Sequence, residues 1–268
     1  MRATCAGRLH FSCNKRTTLH DFCYFWRVKR AIIVGLNYPG TEYELSGCVL
    51  DAQALEARMR AAKVHTEIYT ESITPGELFD SLADAAASQK KNDVFYLTFS
   101  GHGTQWFSNK SKEQDLQEEG ICLWDRPNGI MVIRDDDLRK ALQMIPGTVI
   151  VIFDSCFSGG MDRVIYEPIT NPRKFVPFNE KWKIYEPAID RSVPSPFSHR
   201  SYYLLACDES QVSYDTTGGG LFTVALCRAY DKGANRVGAL MRETAKLCMP
   251  EQTPVLKIEG GNISKKVF

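Results

Sequence analysis

The stretch that decides the fold of this chain is Val149-Ile150-Val151-Ile152-Phe153-Asp154-Ser155-Cys156-Phe157-Ser158-Gly159-Gly160. Its first five residues are apolar and mostly β-branched, which is typical of a strand covered on both faces in a parallel sheet. Small polar residues and two glycines follow, so the strand ends at the carboxyl edge of the sheet, where open α/β sheets bind ligands. We therefore expect Cys156 at this edge, within reach of solvent. The alternative is an ordinary buried cysteine, since free cysteine is among the most buried residue types.

A second strand-like run ends in the same way. Asp93–Phe99 is followed by Ser100-Gly101-His102-Gly103, and His102 precedes Cys156 by 54 residues. That separation is enough for a connecting segment and a return to a neighbouring parallel strand. A thiol is a useful nucleophile when a base helps to form its thiolate. A histidine at a neighbouring strand end can be that base, and a loop histidine without a role is the weaker account.

Along the chain, predicted strands alternate with predicted helices. This pattern predicts an α/β domain with a mainly parallel sheet and helices on both faces. Strands are predicted at 28–37, 64–70, 93–99, 149–153, 201–207 and 254–258, and helices at 46–62, 76–89, 135–144, 221–230 and 234–248. A hairpin is predicted from 121–124 and 130–133, around Pro127-Asn128-Gly129. Residues 104–120 are predicted to form a polar loop.

The paired strand ends resemble the motifs of metacaspases and bacterial caspase-like cysteine peptidases. The spacing of histidine and cysteine is that of caspases, but Asp154-Ser155 stands before Cys156 as in the metacaspase branch, where caspases have Gln-Ala. The resemblance covers about residues 28–258 and includes three further matches: Leu45–Cys48 with Asp51, Phe222–Leu226, and Gln252–Pro254. It implies a caspase-like three-layer α/β/α sandwich around a mainly parallel six-stranded sheet.

Length and composition are consistent with one such peptidase domain at 28–268, although 268 residues could also form two small domains. Residues 1–27 are interpreted as a poorly ordered N-terminal extension or one that covers the sheet; their cysteines and histidines lack the paired spacing of a zinc site. The net charge of +1 favours neither nucleic acid nor membrane as a partner. Nine cysteines without repeated spacing suggest no disulfide framework, and a catalytic thiol is expected in a reducing cytoplasm. The chain is expected to be a monomer.

The chemistry expected from the pair is peptide hydrolysis. Cys156 would attack a peptide carbonyl, and His102 would move the proton and protonate the leaving amine. The backbone N–H groups of Cys156 and Gly103 would bind the oxyanion, since glycine lets the backbone approach closely. No residue that orients His102 is identifiable from the sequence. The resemblance implies that a dyad suffices and that the chemistry requires no cofactor.

The resemblance also implies which residues bind the substrate side chain before the cut: Cys48, Asp51, Ser100 and Asp154. Two carboxylates in one pocket would bind Arg or Lys through charge-assisted hydrogen bonds and repel Asp. The expected partners are therefore proteins or peptides with basic residues. The alternatives are that Asp51 only complements a helix dipole and that loop amides hold Asp154.

A calcium activator is implied by the same resemblance, since many metacaspases need one. Calcium takes six to eight oxygen ligands. The acidic residues available are Asp115, Glu118, Glu119 and Asp162. However, Gln117-Glu118-Glu119-Gly120 departs from the Asp-Gly-rich run of the family. A solvated acidic face explains these residues equally well.

Residues 161–200 are predicted to form a long surface excursion, because they contain six prolines and scattered aromatic residues. If the pocket takes basic residues, the enzyme is expected to cut itself here, at one of Arg163, Arg173, Lys174, Lys181, Lys183, Arg191 or Arg200. The fragments would stay associated, since exposed loops tolerate nicking. The alternative is that the loop only covers the cleft.

Two other classes of function fit the sequence. One is a caspase-fold protein that acts by binding, as a scaffold. The other is a different thiol hydrolase or transferase, which would leave the acidic pocket unexplained.

Overall fold

The computed structural model describes residues 27–109, 116–126, 128–156, 172–189, 200–208 and 211–268. Its centre is a six-stranded sheet made of β1 (Lys29–Gly35), β2 (His65–Tyr69), β3 (Val94–Ser100), β7 (Thr148–Asp154), β9 (Arg200–Leu205) and β10 (Val255–Glu259). The order across the sheet is β10-β9-β7-β3-β1-β2. All neighbours are parallel except β10, which runs antiparallel to β9. The expected α/β fold with a mainly parallel sheet is confirmed.

Helices cover both faces of this sheet. They are α1 (Cys48–Ala61), α2 (Pro75–Ser88), α3 (Asp135–Gln143), α4 (Leu221–Asp231) and α5 (Val237–Cys248). Alternate side chains of each strand point to opposite faces. In β1, Ile32 packs in a core with residues of α2 and α3, whereas Ile33 packs in a second core with residues of α1, α4 and α5. Each such buried aliphatic side chain stabilises the fold by about 1.5–3 kcal/mol.

A smaller sheet extends from the carboxyl edge of the large one. Its strands are β4 (Gly103–Phe107), β5 (Gln117–Asp125), β6 (Gly129–Arg134) and β8 (Lys183–Ile184), in the order β4-β5-β6-β8. The expected hairpin is confirmed by the antiparallel pairing of β5 with β6. The prediction of a polar loop over 104–120 is wrong for 104–107 and 117–120. These residues pair with one another, Thr104 with Gly120 and Phe107 with Gln117, so the partner strand supplies the order that their mixed composition does not.

The described part of the 161–200 segment, residues 172–189, differs from the predicted surface excursion. Lys174 is fully buried and Val176 is 3% exposed. The reason is backbone pairing on both sides. Lys174 N–H donates to the Ser213 carbonyl over 2.9 Å, and Val176 N–H donates to the Gly103 carbonyl over 3.1 Å. The rest of that segment and the N-terminal extension up to residue 26 lie outside the described residues.

In the part of the chain that the structure describes, no helix is both long enough and apolar enough to span a bilayer.

Candidate active site

The two reactive strand ends lie side by side. β3 and β7 are neighbouring parallel strands, and Ser100 at the end of β3 pairs with Asp154 at the end of β7. His102 and Cys156 each follow two residues later. A hydrogen bond of 3.4 Å from Gly101 N–H to the Asp154 carbonyl joins the two chain segments just beyond the strands. The sequence spacing therefore returns the chain to the adjacent strand, as expected.

His102 is oriented by a backbone carbonyl. Its Nε2 lies 2.7 Å from the carbonyl oxygen of Tyr43. A carbonyl can only accept, so Nε2 carries the hydrogen, and in the neutral ring Nδ1 is then the acceptor. Nδ1 is buried and has no hydrogen-bond partner among the described residues. Burial lowers the pKa of His102 to about 4, so at neutral pH its side chain is an unprotonated base with one vacant acceptor.

The main chain of His102 is held by Tyr38, which sequence reasoning missed. Tyr38 Oη accepts the His102 N–H over 2.9 Å and donates to the Cys122 carbonyl over 2.6 Å. Cys122 N–H in turn donates to the His102 carbonyl over 2.9 Å. A Cβ at Gly101 would lie 2.6 Å from Tyr38 Oη, so this arrangement requires the glycine of the Ser-Gly-His-Gly motif.

Cys156 is completely buried, which corrects the expectation that solvent reaches it. Residues 172–176 lie over it. The N–H groups of Cys156 and Gly103 both donate to the carbonyl oxygen of Lys174, over 3.2 and 3.0 Å. These are the two groups that the sequence suggested as oxyanion donors, and they converge on one oxygen atom. The Cys156 sulfur also accepts the Ser213 N–H over 2.6 Å.

The side chain of Lys174 lies in an acidic pocket. Its Nζ is 2.9 Å from Asp51 Oδ2, 3.2 Å from Asp154 Oδ1 and 2.8 Å from Ser100 Oγ. Burial lowers the pKa of Lys174, but Asp154 and Asp51 raise it by more, so the net pKa lies well above its usual value and the amine is charged. Burial raises the pKa of Asp51 to about 6, and the nearby ammonium group opposes this rise.

Further hydrogen bonds hold both carboxylates of the pocket in place. Asp154 Oδ2 accepts the N–H and the hydroxyl of Thr223, at the start of α4, over 3.0 and 2.7 Å. Asp51 Oδ1 accepts the Gly220 N–H over 2.8 Å. A Cβ at Gly220 would lie 2.2 Å from Lys174 Nζ, so glycine leaves the space that the ammonium group occupies.

The four residues that the resemblance assigned to substrate binding lie around the Lys174 side chain. Asp51, Ser100 and Asp154 contact Lys174 directly. Cys48 begins α1 at the same place; its thiol is buried, and burial raises its pKa while the charge of Lys174 opposes the change. The two alternatives, a helix-dipole acid for Asp51 and a loop-held acid for Asp154, explain only part of their contacts.

A buried carboxylate, Asp215, anchors the strand that borders this pocket. It accepts the N–H groups of Ser46 and Gly47, over 2.7 and 3.0 Å, at the start of α1. Its own N–H donates to the Pro172 carbonyl over 2.8 Å, next to an antiparallel bridge between Arg173 and Tyr214. Residues 172–174 thus lie against 213–215 as an added strand. Sequence reasoning missed Asp215, because its partners are backbone groups about 170 residues away.

Of the residues suggested for calcium, Glu118 and Glu119 lie within the described structure. Asp115 and Asp162 lie outside the described residues. Glu118 forms an ion pair of 3.4 Å with Arg134, whose guanidinium also approaches Asp137 at 3.7 Å. Among the described residues, no cluster of three or more histidine, cysteine or carboxylate side chains is placed to hold a metal ion.

The sequence was matched by a family model and by curated relatives. A family model described as the caspase domain matches residues 28–260. The chain belongs to the caspase-domain family. It is 32% identical to Metacaspase-6 of Arabidopsis thaliana over 149 residues, which cover 50% of this chain and 39% of that protein. It is 27% identical to Metacaspase-1 of Plasmodium falciparum over 212 residues, 71% of this chain and 32% of that one.

The same caspase-like architecture occurs in a crystal structure of a Geobacter sulfurreducens protein. The TM-score is 0.68 at 24% identity, and the match covers 89% of this chain and 97% of that one. This likeness supports the fold alone. The chain spans about 34–39% of the length of three Arabidopsis thaliana relatives, Metacaspase-6, Metacaspase-7 and Metacaspase-4.

Proposed function

We propose that this chain is a cysteine endopeptidase that cuts peptide bonds after Lys or Arg through a dyad of Cys156 and His102. The observation that carries the proposal is the pose of Lys174. Its side chain fills the acidic pocket, its carbonyl oxygen accepts two backbone N–H groups, and its own N–H pairs with Ser213. A peptide substrate bound for cleavage needs these same three contacts.

The proposed reaction begins with a proton transfer within the dyad. His102 Nδ1 takes the thiol proton, and the Cys156 thiolate attacks the carbonyl carbon of the bound lysine. The negative charge that develops on the oxygen is stabilised by the N–H groups of Cys156 and Gly103; one such donor is worth about 10²–10³-fold in rate. His102 then protonates the leaving amine, and water hydrolyses the thioester.

The specificity follows from charge. The Asp51 and Asp154 carboxylates would neutralise the charge of a lysine or arginine side chain. Among the described residues, Lys174 is the only cation within hydrogen-bond distance of them. An aspartate side chain in the same place would add a third buried carboxylate to two existing ones, at a cost of several kcal/mol. Substrates with Asp before the cut are therefore excluded.

The same pose makes the bond between Lys174 and Phe175 the site of self-cleavage. The sequence left seven basic residues of the 161–200 segment open, and Lys174 is the one seated in the pocket. While the segment is docked, it fills both the pocket and the oxyanion site, so the uncut chain is latent toward other substrates.

The experiment that tests this function compares fluorogenic peptides that differ only in Arg, Lys or Asp before the cut. Wild type should hydrolyse the first two and leave the third intact, and Cys156→Ala should hydrolyse none. Intact-mass measurement should show a break after residue 174 in wild type and none in Cys156→Ala. Preferred cleavage after Asp, or equal nicking of both proteins, would contradict the proposal.

A further inference from the structure

A second thiol lies beside the proposed nucleophile. β9 neighbours β7, with Phe153 and Leu205 as their last pair, and the Ala206 N–H donates to the Phe153 carbonyl over 2.9 Å. Cys207 comes directly after this bond. Both sulfurs contact one turn: Cys207 Sγ donates to the Gln211 carbonyl over 3.5 Å, and Cys156 Sγ accepts the Ser213 N–H over 2.6 Å. The nearby Cys156 thiol also raises the pKa of Cys207.

We propose that Cys156 and Cys207 form a reversible disulfide when a hydroperoxide oxidises the unlatched enzyme. Both cysteines lie just beyond Phe153 and Leu205, the last paired residues of the neighbouring strands β7 and β9, and their sulfurs contact residues 211 and 213 of one turn. Disulfides bridge Cα atoms about 4.4–6.8 Å apart, so the bond requires these two adjacent chain segments to come within that range.

The two cysteines have different roles in this reaction. Cys156 has His102 as its proposed base, which makes it the attacking thiol. The neighbouring Cys156 thiol and burial both raise the pKa of Cys207 above its usual value, so Cys207 stays protonated and is not the first thiol to be oxidised. It is the resolving thiol, and this part of the inference rests on the proposed function of Cys156.

The steps balance with the peroxide as the oxidant. The Cys156 thiolate attacks the terminal peroxide oxygen; the O–O bond breaks, and the products are a cysteine sulfenic acid and water or an alcohol. The Cys207 sulfur then attacks the sulfenic sulfur, the S–O bond breaks, and the hydroxyl group leaves as water with the Cys207 proton. Two thiols lose two electrons, which reduce one peroxide. A dithiol reverses the bond by thiol–disulfide exchange.

The docked segment decides when this reaction can occur. Cys156 is fully buried beneath residues 172–176 in the latent chain, so peroxide reaches it only after the segment has left. The disulfide would then switch off the unlatched enzyme and protect its nucleophile from irreversible oxidation to the sulfinic acid.

The test uses self-processed wild type, Cys207→Ser, and Cys227→Ser as the matched control. Cys227 is 5% exposed, close to the 8% of Cys207, but lies on α4 away from Cys156. Each protein is treated with hydrogen peroxide, alkylated, digested and analysed by mass spectrometry, and hydrolysis of an Arg peptide is followed before and after dithiothreitol.

Wild type and Cys227→Ser should lose activity with peroxide, yield linked peptides of Cys156 and Cys207, and regain activity with dithiothreitol. Cys207→Ser should lose activity permanently as Cys156 becomes a sulfinic acid. Sulfinic acid without the linked peptides in wild type overturns the inference, even if Cys207→Ser fails to fold. Linked peptides in Lys174→Met, whose segment has lost its buried cation and is undocked without a cut, would support the disulfide even if that protein and wild type lacked peptidase activity, a result that would refute the proposed function.

Discussion

Replacing Lys174 by Met tests the latent state most directly. The change removes the ammonium group but keeps the length of the side chain. Asp51 and Asp154 would then be buried without their cation if the segment stayed docked. Breaking a buried ion pair by removal of one partner costs about 3–5 kcal/mol. If the segment undocks, water reaches the carboxylates and this cost is avoided. The substitution should therefore weaken docking of the segment and leave the stability of the sheet unchanged.

That free energy converts to a change in population. At about 1.4 kcal/mol per factor of ten, 3–5 kcal/mol lowers the docked-to-undocked ratio by about 10²- to 4 × 10³-fold. The substitution does not change the backbone groups of Lys174 and Val176, so the hydrogen bonds of their N–H groups break only when the segment undocks. In a Cys156→Ala background, where no self-cleavage occurs, amide hydrogen exchange at Val176 should accelerate by a similar factor in Lys174→Met.

The activity assay uses the enzyme with Cys156 intact. Wild type should hydrolyse an added Arg peptide with a lag, because each chain must first cut or release its own segment. Lys174→Met should show no lag and no break after residue 174. Lys181→Met, an exposed lysine of the same segment, is the control and should behave as wild type. An unchanged Val176 exchange rate together with an unchanged lag would refute the assignment of Lys174 as the latch.

Three further results are expected. The pKa of His102 is about 4 in the folded chain against 6.5 for the free group, so the unfolded state binds the extra proton between these values; stability present above pH 6.5 is lost as the pH falls, by about 2 kcal/mol at pH 5. Urea unfolding in the Cys156→Ala background should show this loss between pH 8 and 5, and adding His102→Asn should remove it; equal pH dependence would contradict the assignment. Tyr38→Phe deletes the hydroxyl that accepts the His102 N–H and should lower the free energy of unfolding by about 1–3 kcal/mol. In the same variant, kcat for an Arg peptide should fall with little change in KM. A change in KM alone would show that Tyr38 does not position the base. Asp215→Asn places an amide where the carboxylate accepts three donors and should raise KM for Lys and Arg peptides alike, measured by initial rates on the processed enzyme; a selective loss of one of the two peptides would instead place Asp215 in the specificity pocket.

Much of the fold was predictable because its signals are local. The run before Cys156 is continuously apolar and ends in glycines, and this pattern alone predicts a buried strand and its edge. The capping box at the start of α2 is equally local: Thr74 accepts the Glu77 N–H over 3.1 Å and Pro75 stands at the first turn. By contrast, β4 mixes polar and aromatic residues and forms only because β5 returns beside it.

The site was predictable only as far as its side chains carry the chemistry. Cys156 and His102 have reactive groups at marked strand ends, so the sequence shows them. The Tyr43 carbonyl that orients His102 and the backbone groups that bind Lys174 belong to the main chain. Such groups occur in every residue, so the sequence does not mark them. Composition could not rank the seven basic residues of the segment, because the choice depends on pairing with Ser213 and Gly103, which are distant along the chain.

The lysine in the acidic pocket also constrains how such an enzyme can evolve. The Asp51 and Asp154 carboxylates hold the chain's own lysine, and under the proposed function the same pair binds the side chains of substrates. A mutation that makes the pocket prefer another side chain therefore also releases the latch, and produces a protease that is active as soon as it is folded. A lineage could change its substrates safely only if residue 174 changed together with the pocket, so substrate preference and dormancy are inherited as one trait.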